Sequence, residues 1–132
     1  IVKLLLEHKA DINAGPCLER GRTALQAACE QGHLEVVKLL LEHKADINAR
    51  PWPGVFNGRT ALQAASEGGY LKVVKLLLEY KADVNAGPCR ELGRTALQAA
   101  SERGHLEVVK LLLEHKADVN AEPCDKHGIT AL

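Results

Sequence analysis

The chain has 132 residues, of which 46% are hydrophobic but only 3% aromatic, and its 17 Lys and Arg balance its 17 Asp and Glu. The length allows one domain with a real core, and the core has to be aliphatic, built from Leu, Val and Ala. Charge neutrality gives no electrostatic basis for a nucleic-acid or membrane-surface protein, no apolar run approaches the ~18 residues of a membrane span, and in this sequence, which opens on Ile1, no basic leader precedes an apolar segment, so a signal peptide is not visible.

Internal repetition dominates the sequence. The chain opens IVKLLLE, and VVKLLLE follows at Val36, Val73 and Val108. TALQAA begins at Thr23, Thr60 and Thr95, and TAL appears once more from Thr130, at steps of 37, 35 and 35 residues. Each copy reads as two short helices and a polar connector, an all-α unit. In the first full copy a helix is predicted from about Thr23 to Gln31. Thr23 is a good N-cap and Gln26, three residues on, completes a capping box that Thr60/Gln63 and Thr95/Gln98 repeat. Gly32, Gly69 and Gly104 stop this helix by entering the left-handed region. The second helix is predicted from about Leu34 to His43. Its VVKLLLE core is apolar over most of its circumference and so calls for burial between neighbours, while Lys38 and Glu42, one turn apart, face water. A connector with Pro and Gly then turns the chain. Helices this short are marginal alone, and stacking copies side by side is what buries them.

The stretch GRTALQAASERGHLEVVKLLLEHKADVNA resembles the ankyrin repeat, and the resemblance covers three full copies and two partial ones. It implies an ankyrin-repeat solenoid of stacked helix-turn-helix units with extended hairpin fingers. The expected divisions are a partial repeat over 1–14, full repeats over 15–49, 50–86 and 87–121, and a partial repeat over 122–132. On this reading the chain opens with a second helix and stops within a first helix, so the native protein is expected to continue both ways. Apolar faces around Leu4, Leu5, Val109 and Leu112 should then lack some neighbours. The wording TALQAA looks like arrays of fungal proteins, which often follow a nucleotide-binding NTPase switch domain in large receptor-like proteins. Three departures stand out. The period is longer than the usual ~33 residues, with the excess in the fingers. Ala24, Ala61 and Ala96 replace the family's Pro, and Gln26, Gln63 and Gln98 its His. Lys9, Lys44, Lys81 and Lys116 stand where the family usually has Gly, and a left-handed Lys costs about 1–2 kcal/mol.

Chemistry-bearing residues mostly repeat at one structural place. Cys17, Cys89 and Cys124 recur in the fingers, without CxxC or HxxxH spacing for zinc. Neighbouring copies lie too far apart for an easy disulfide, so these read as free thiols of an intracellular, cytoplasmic protein. Cys29, where the other copies have Ser66 and Ser101, reads as a small packed residue. His33 and His105 begin second helices, with Tyr70 once in their place. His8, His43 and His115 end them, with Tyr80 once in their place. Repetition argues for packing or capping, whereas a catalytic His stands beside a nucleophile. Only Cys29 and His33 are close, across a helix end. No phosphate loop is present. No catalytic residue, metal or other cofactor, and no small-molecule substrate, is expected.

The charges make a better case for a binding surface. Arg22, Arg59 and Arg94 each precede a first helix, and Glu30, Glu67 and Glu102 recur near its end. Arg103 takes the place of Gln31 and Gly68. The ankyrin resemblance places the Arg22/Arg59/Arg94 and Glu30/Glu67/Glu102 positions on the concave face beside the fingers. They form either a solvated, mutually neutralising ladder or a mixed-charge groove that selects a protein partner. The second connector, RPWPGVFNGR, is individual: Arg50, Trp52, Val55, Phe56 and Arg59 combine the residue types that carry binding energy. Its aromatics either fold back on their own longer loop or meet a partner, and the two are compatible. The expected function is non-catalytic protein recognition, as the sensing arm of a larger receptor. The rival is a structural spacer without a specific ligand.

Overall fold

The structure is a computed structural model that describes residues 23–49, 59–86 and 94–120. Six helices form three pairs: α1 (Ala24–Gln31) with α2 (Leu34–Glu42), α3 (Ala61–Gly68) with α4 (Leu71–Glu79), and α5 (Ala96–Glu102) with α6 (Leu106–Glu114). Among the described residues there is no strand. Each pair stacks on the next, first helix on first helix and second on second. This is the all-α stack of helix-turn-helix units that the repetition implied. The fingers, including the long second connector, lie outside the described residues.

Local chemistry accounts for each helix. At the start of α1, α3 and α5 the side chains of Thr23, Thr60 and Thr95 accept from the backbone N–H of Gln26, Gln63 and Gln98. Each glutamine Oε1 accepts in return from the threonine N–H, at 2.8–2.9 Å. The glutamines also close each unit on itself. Gln26 Nε2 donates to the Ala49 carbonyl at 2.9 Å and Gln63 Nε2 to that of Ala86 at 3.1 Å. Each such bond pins the start of a first helix to backbone that follows the second helix. Gln in place of the family's His therefore caps and tethers at once.

At the far end of the first helices Gly32, Gly69 and Gly104 take φ of 71°, 72° and 73°. The next N–H then closes onto the helix: His33 to Ala28 O, Tyr70 to Ala65 O and His105 to Ala100 O, at 2.9–3.1 Å. The second helices end one residue earlier than expected, at Glu42, Glu79 and Glu114, with His43, Tyr80 and His115 as C-caps. The following Lys44, Lys81 and Lys116 adopt φ of 65°, 69° and 66°, so the left-handed Lys is real.

The core is aliphatic throughout. Leu25, Leu40, Leu62, Leu77 and Leu112 are the largest fully buried side chains, joined by Val37, Val73, Val74 and Val108. Each such leucine contributes about 1.5–3 kcal/mol by leaving water. Of the residues expected to lack neighbours, Val109 is half-buried where its counterparts Val37 and Val74 are fully buried, whereas Leu112 is 0% exposed, because it packs into the core cluster that runs through the stack. The uncovered positions on α6 are Leu106 and Leu113, at 61% and 43% exposure. Leu41 and Leu78, the counterparts of Leu113, are buried, each with a further repeat stacked beside it. Among the described residues no second helix follows α6. Leu4 and Leu5 lie outside the described residues.

The segment after each second helix joins neighbours through asparagine. Asn48 Oδ1 accepts from the Asp83 N–H at 2.8 Å, and Asn85 Oδ1 from that of Asp118 at 2.7 Å. Asn85 Nδ2 also donates to the Lys116 carbonyl at 3.2 Å. Asp46, Asp83 and Asp118 meanwhile accept from the N–H two residues ahead, which holds each turn in shape. Lys38 and Glu42 face water as expected, but Lys38 pairs with Glu35 at 3.5 Å. That order, Glu before Lys on the helix, is the favoured one.

Candidate functional site

The first helices stand in a row, and their ends carry the charges singled out in the sequence. Arg59 precedes the cap of α3 and Glu67 lies near its end, two helical turns away. The arginine spans that length, placing Nε 2.7 Å from Glu67 Oε2. Arg94 and Glu102 repeat the arrangement along α5. The guanidinium meets both carboxylate oxygens, through Nε to Oε2 and through Nη2 to Oε1 at 3.1 Å. Long arginine stems lying along a helix also cover apolar surface.

The two arrangements are joined by Arg103. It caps the C-terminal end of α5 and reaches back to the preceding repeat, where its Nη2 lies 3.1 Å from Glu67 Oε1. One carboxylate thus holds two guanidiniums from two repeats. The Glu67 side chain is only 16% exposed, whereas Arg103 is 61% exposed. His105 fixes the same junction from below, with Nε2 2.9 Å from the Glu67 carbonyl oxygen. Charge-assisted bonds to a carboxylate so nearly buried are geometrically specific. The network is therefore more than a row of independent solvated pairs.

The expected residues are placed as follows. Arg59, Glu67 and Arg103 come together, and Arg94 lies beside them in the next repeat with Glu102. Glu30 is half-buried near the end of α1. Arg22, Arg50, Trp52, Val55 and Phe56 lie outside the described residues, as do Cys17, Cys89 and Cys124. Reading the residues alone missed the role of Tyr70. Its ring lies where a Cβ on Gly68 would stand, and 2.6 Å from where one on Gly32 of the preceding repeat would stand. The signal was available: Gly68 appears where Gln31 and Arg103 stand elsewhere, in the one copy that has Tyr in place of His.

The remaining chemistry-bearing residues have structural places of their own. Cys29, paired in sequence with His33, is fully buried, and desolvation pushes its thiol up to about 12. It is a neutral packed group at physiological pH rather than a nucleophile. His43 and His115 turn their Nδ1 atoms to the Leu39 and Leu111 carbonyls, at 2.9 and 3.0 Å. They cap helix ends, as their repetition implied. Among the described residues no cluster of His, Cys, Asp and Glu could hold a metal ion. No described helix is long and apolar enough to cross a membrane. A shallow depression between the ends of α2 and α4 is lined by Leu41, Glu42, Lys44, Ala45, Ile47 and Tyr80.

Comparison with curated proteins gave no match. A family profile described as ankyrin repeats, in three copies, matches residues 1–51 and 50–123. With capped helix pairs, glycine stops and an asparagine-linked stack already in place, that coverage is decisive: the chain belongs to the ankyrin repeat family.

Proposed function

We propose that this chain is a non-catalytic recognition module that engages a protein partner along its first-helix row and second finger, and serves as the sensing arm of a larger receptor. Ankyrin repeats generally mediate protein–protein interaction and are typically non-catalytic, which supports the broad reading. The observation that carries the finer one is the Arg59–Glu67–Arg103 junction. It concentrates oriented, partly exposed charge at one place on an otherwise uniform scaffold, and complementarity of such charges is what selects partners. On this proposal Arg59, Glu67, Arg94 and Arg103 contribute from the row, with Glu30 and Arg22 at its first-repeat end. Arg50, Trp52, Val55 and Phe56 supply the finger. Variation carried on connectors over a constant helical frame is the usual division of labour between loop and scaffold.

A spacer reading draws on a different observation, the asparagine ladder. It links every described repeat to the next in the same way and needs no ligand. The two separate in a pull-down from source-cell lysate. Wild-type chain would be compared with a Trp52→Ala/Phe56→Ala variant and an Arg59→Ala/Arg103→Ala variant of matched circular dichroism and melting temperature. Recognition predicts a protein retained by wild type and lost from at least one variant. The same protein retained equally by all three moves the site elsewhere on the array. Nothing retained by any of them supports the spacer.

A further inference from the structure

We propose that the junction between the second and third described repeats selects an acidic peptide segment, with Arg103 as the clamp for one of its carboxylates. This rests on the recognition reading above and names the chemistry of the partner. Three guanidiniums, Arg59, Arg94 and Arg103, share two carboxylates here, Glu67 and Glu102. The sharing is uneven. Arg94 takes both oxygens of Glu102, whereas Glu67 is divided, Oε2 to Arg59 and Oε1 to Arg103. Arg103 thus holds half a carboxylate, through Nη2, with most of its five N–H donors and most of its surface open among the described residues.

Its geometry suits capture. A guanidinium presents a planar fork that matches a carboxylate with two parallel bonds. Arg103 is already oriented by the nearly buried Glu67, so less side-chain freedom is lost when a ligand arrives. The clamp is also local. The places of Arg103 in the other repeats are Gln31, which is neutral, and Gly68, which has no side chain. At the preceding junction the corresponding place in the following repeat is Gly68, so no side chain from that place reaches across. A basic segment laid on the same junction would meet the surplus guanidinium and be repelled.

The test selects a random-peptide phage library on the immobilised 132-residue chain. Affinities of the enriched peptides are then measured for wild type, Arg103→Gln and Arg103→Glu at low salt. The expected peptides are rich in Asp and Glu, bind Arg103→Gln about tenfold more weakly, and do not bind Arg103→Glu measurably. The Arg103→Gln chain should melt like wild type, because Gln31 fills the same place in another repeat. Enriched peptides without acidic residues that still lose affinity on the two variants would overturn the acidic class and leave recognition along the row standing. Enriched peptides indifferent to Arg103 would overturn the clamp and leave recognition elsewhere on the array standing, and no enrichment at all would overturn both.

Discussion

Among the places where the second described repeat differs from its neighbours, one short stretch lies where repeats meet. The first repeat reads Glu30-Gln31-Gly32-His33 and the third Glu102-Arg103-Gly104-His105, but the second reads Glu67-Gly68-Gly69-Tyr70. In the second, the Tyr70 ring takes the volume that a Cβ on Gly68 would need and lies against Gly32 of the unit before. In the third, the smaller His105 ring packs over Gly69 instead and turns Nε2 to the Glu67 carbonyl. The long Arg103 stands two residues before it, in the place of Gly68. Bulk at one position is exchanged for bulk at the other. One copy gives the junction to an aromatic ring, and the next gives it to an exposed guanidinium. The helices on either side need no change.

The sharpest way to break that comparison is to add one methyl group at two glycines of equal backbone geometry. Gly69 and Gly104 have φ of 72° and 73°. A Cβ on Gly69 would come within 2.5 Å of the His105 ring, whereas one on Gly104 meets nothing within 4 Å. Both Ala substitutions cost about 1–2 kcal/mol for the left-handed backbone. Gly69→Ala costs about 1 kcal/mol more, because the His105 ring has to move and gives up its hydrogen bond. Chemical denaturation of the two variants measures the difference. Equal losses would mean that the ring gives way freely and that the junction is not tightly keyed.

A second variant converts one repeat toward the other. Gly68→Gln places the first repeat's residue beside Tyr70. Overpacking of this kind costs about 1–3 kcal/mol, partly offset by the better helix propensity of Gln. Adding Tyr70→His makes the segment read as in the first repeat and should recover most of the loss. A double-mutant cycle would then show a coupling of about 1 kcal/mol or more. Additive effects would remove the claim that positions 68 and 70 act as a pair.

The same logic applies inside the helices, at Cys29 and Ser66, which hold equivalent places in α1 and α3. Both are 0% exposed, but the Ser66 hydroxyl has no hydrogen-bond partner among the described residues. A buried hydroxyl left unmade costs about 1–3 kcal/mol. Ser66→Cys should therefore stabilise the chain by about 1 kcal/mol, and Cys29→Ser should destabilise it by a similar amount. The thiol also has a pH signature. Its pKa is raised from 9.0 to about 12 by burial, so the folded chain holds the proton more tightly than the unfolded one. The stability tied to that proton is complete below pH 9 and is lost as pH climbs from there toward 12. Iodoacetamide at mildly alkaline pH should spare Cys29 until the chain unfolds. Modification at the rate of an exposed thiol would contradict the burial.

Most of the fold was legible because its signals are local and repeated. A Thr and a Gln three residues apart write a capping box on their own, and three copies of it leave little room for another reading. Gly32, Gly69 and Gly104 mark their own helix ends in the same way. The charged junction was legible only as a set of residue types. Arg59 reaches Glu67 across two turns, and Arg103 reaches it across 36 residues, so the pairing depends on how the repeats stack. The dependence of Gly68 on Tyr70 was written in the comparison of copies but not in any one of them.

The smallest effect concerns the two kinds of helix end. First and second helices close identically, with an N–H bonding back five residues: Tyr70 to Ala65 O after α3, and Ala82 to Leu77 O after α4, at 3.1 and 3.0 Å. The residue before each donor is left-handed in both cases, Gly69 at φ 72° and Lys81 at 69°. Glycine occupies that conformation at no steric cost, and lysine does not. Lys81 is exposed. Lys81→Gly should therefore stabilise the chain by about 0.5–1 kcal/mol, the relief of the left-handed lysine being reduced by the extra freedom glycine has when unfolded. Lys44→Gly and Lys116→Gly should behave alike, and the three should add, since they occupy separate turns. The triple variant, read by its shift in melting temperature, makes the comparison decisive. A gain would show that the turn tolerates Lys at a cost. No gain, or a loss, would mean that the lysine stems cover enough of the neighbouring turn to offset the strain of their backbone.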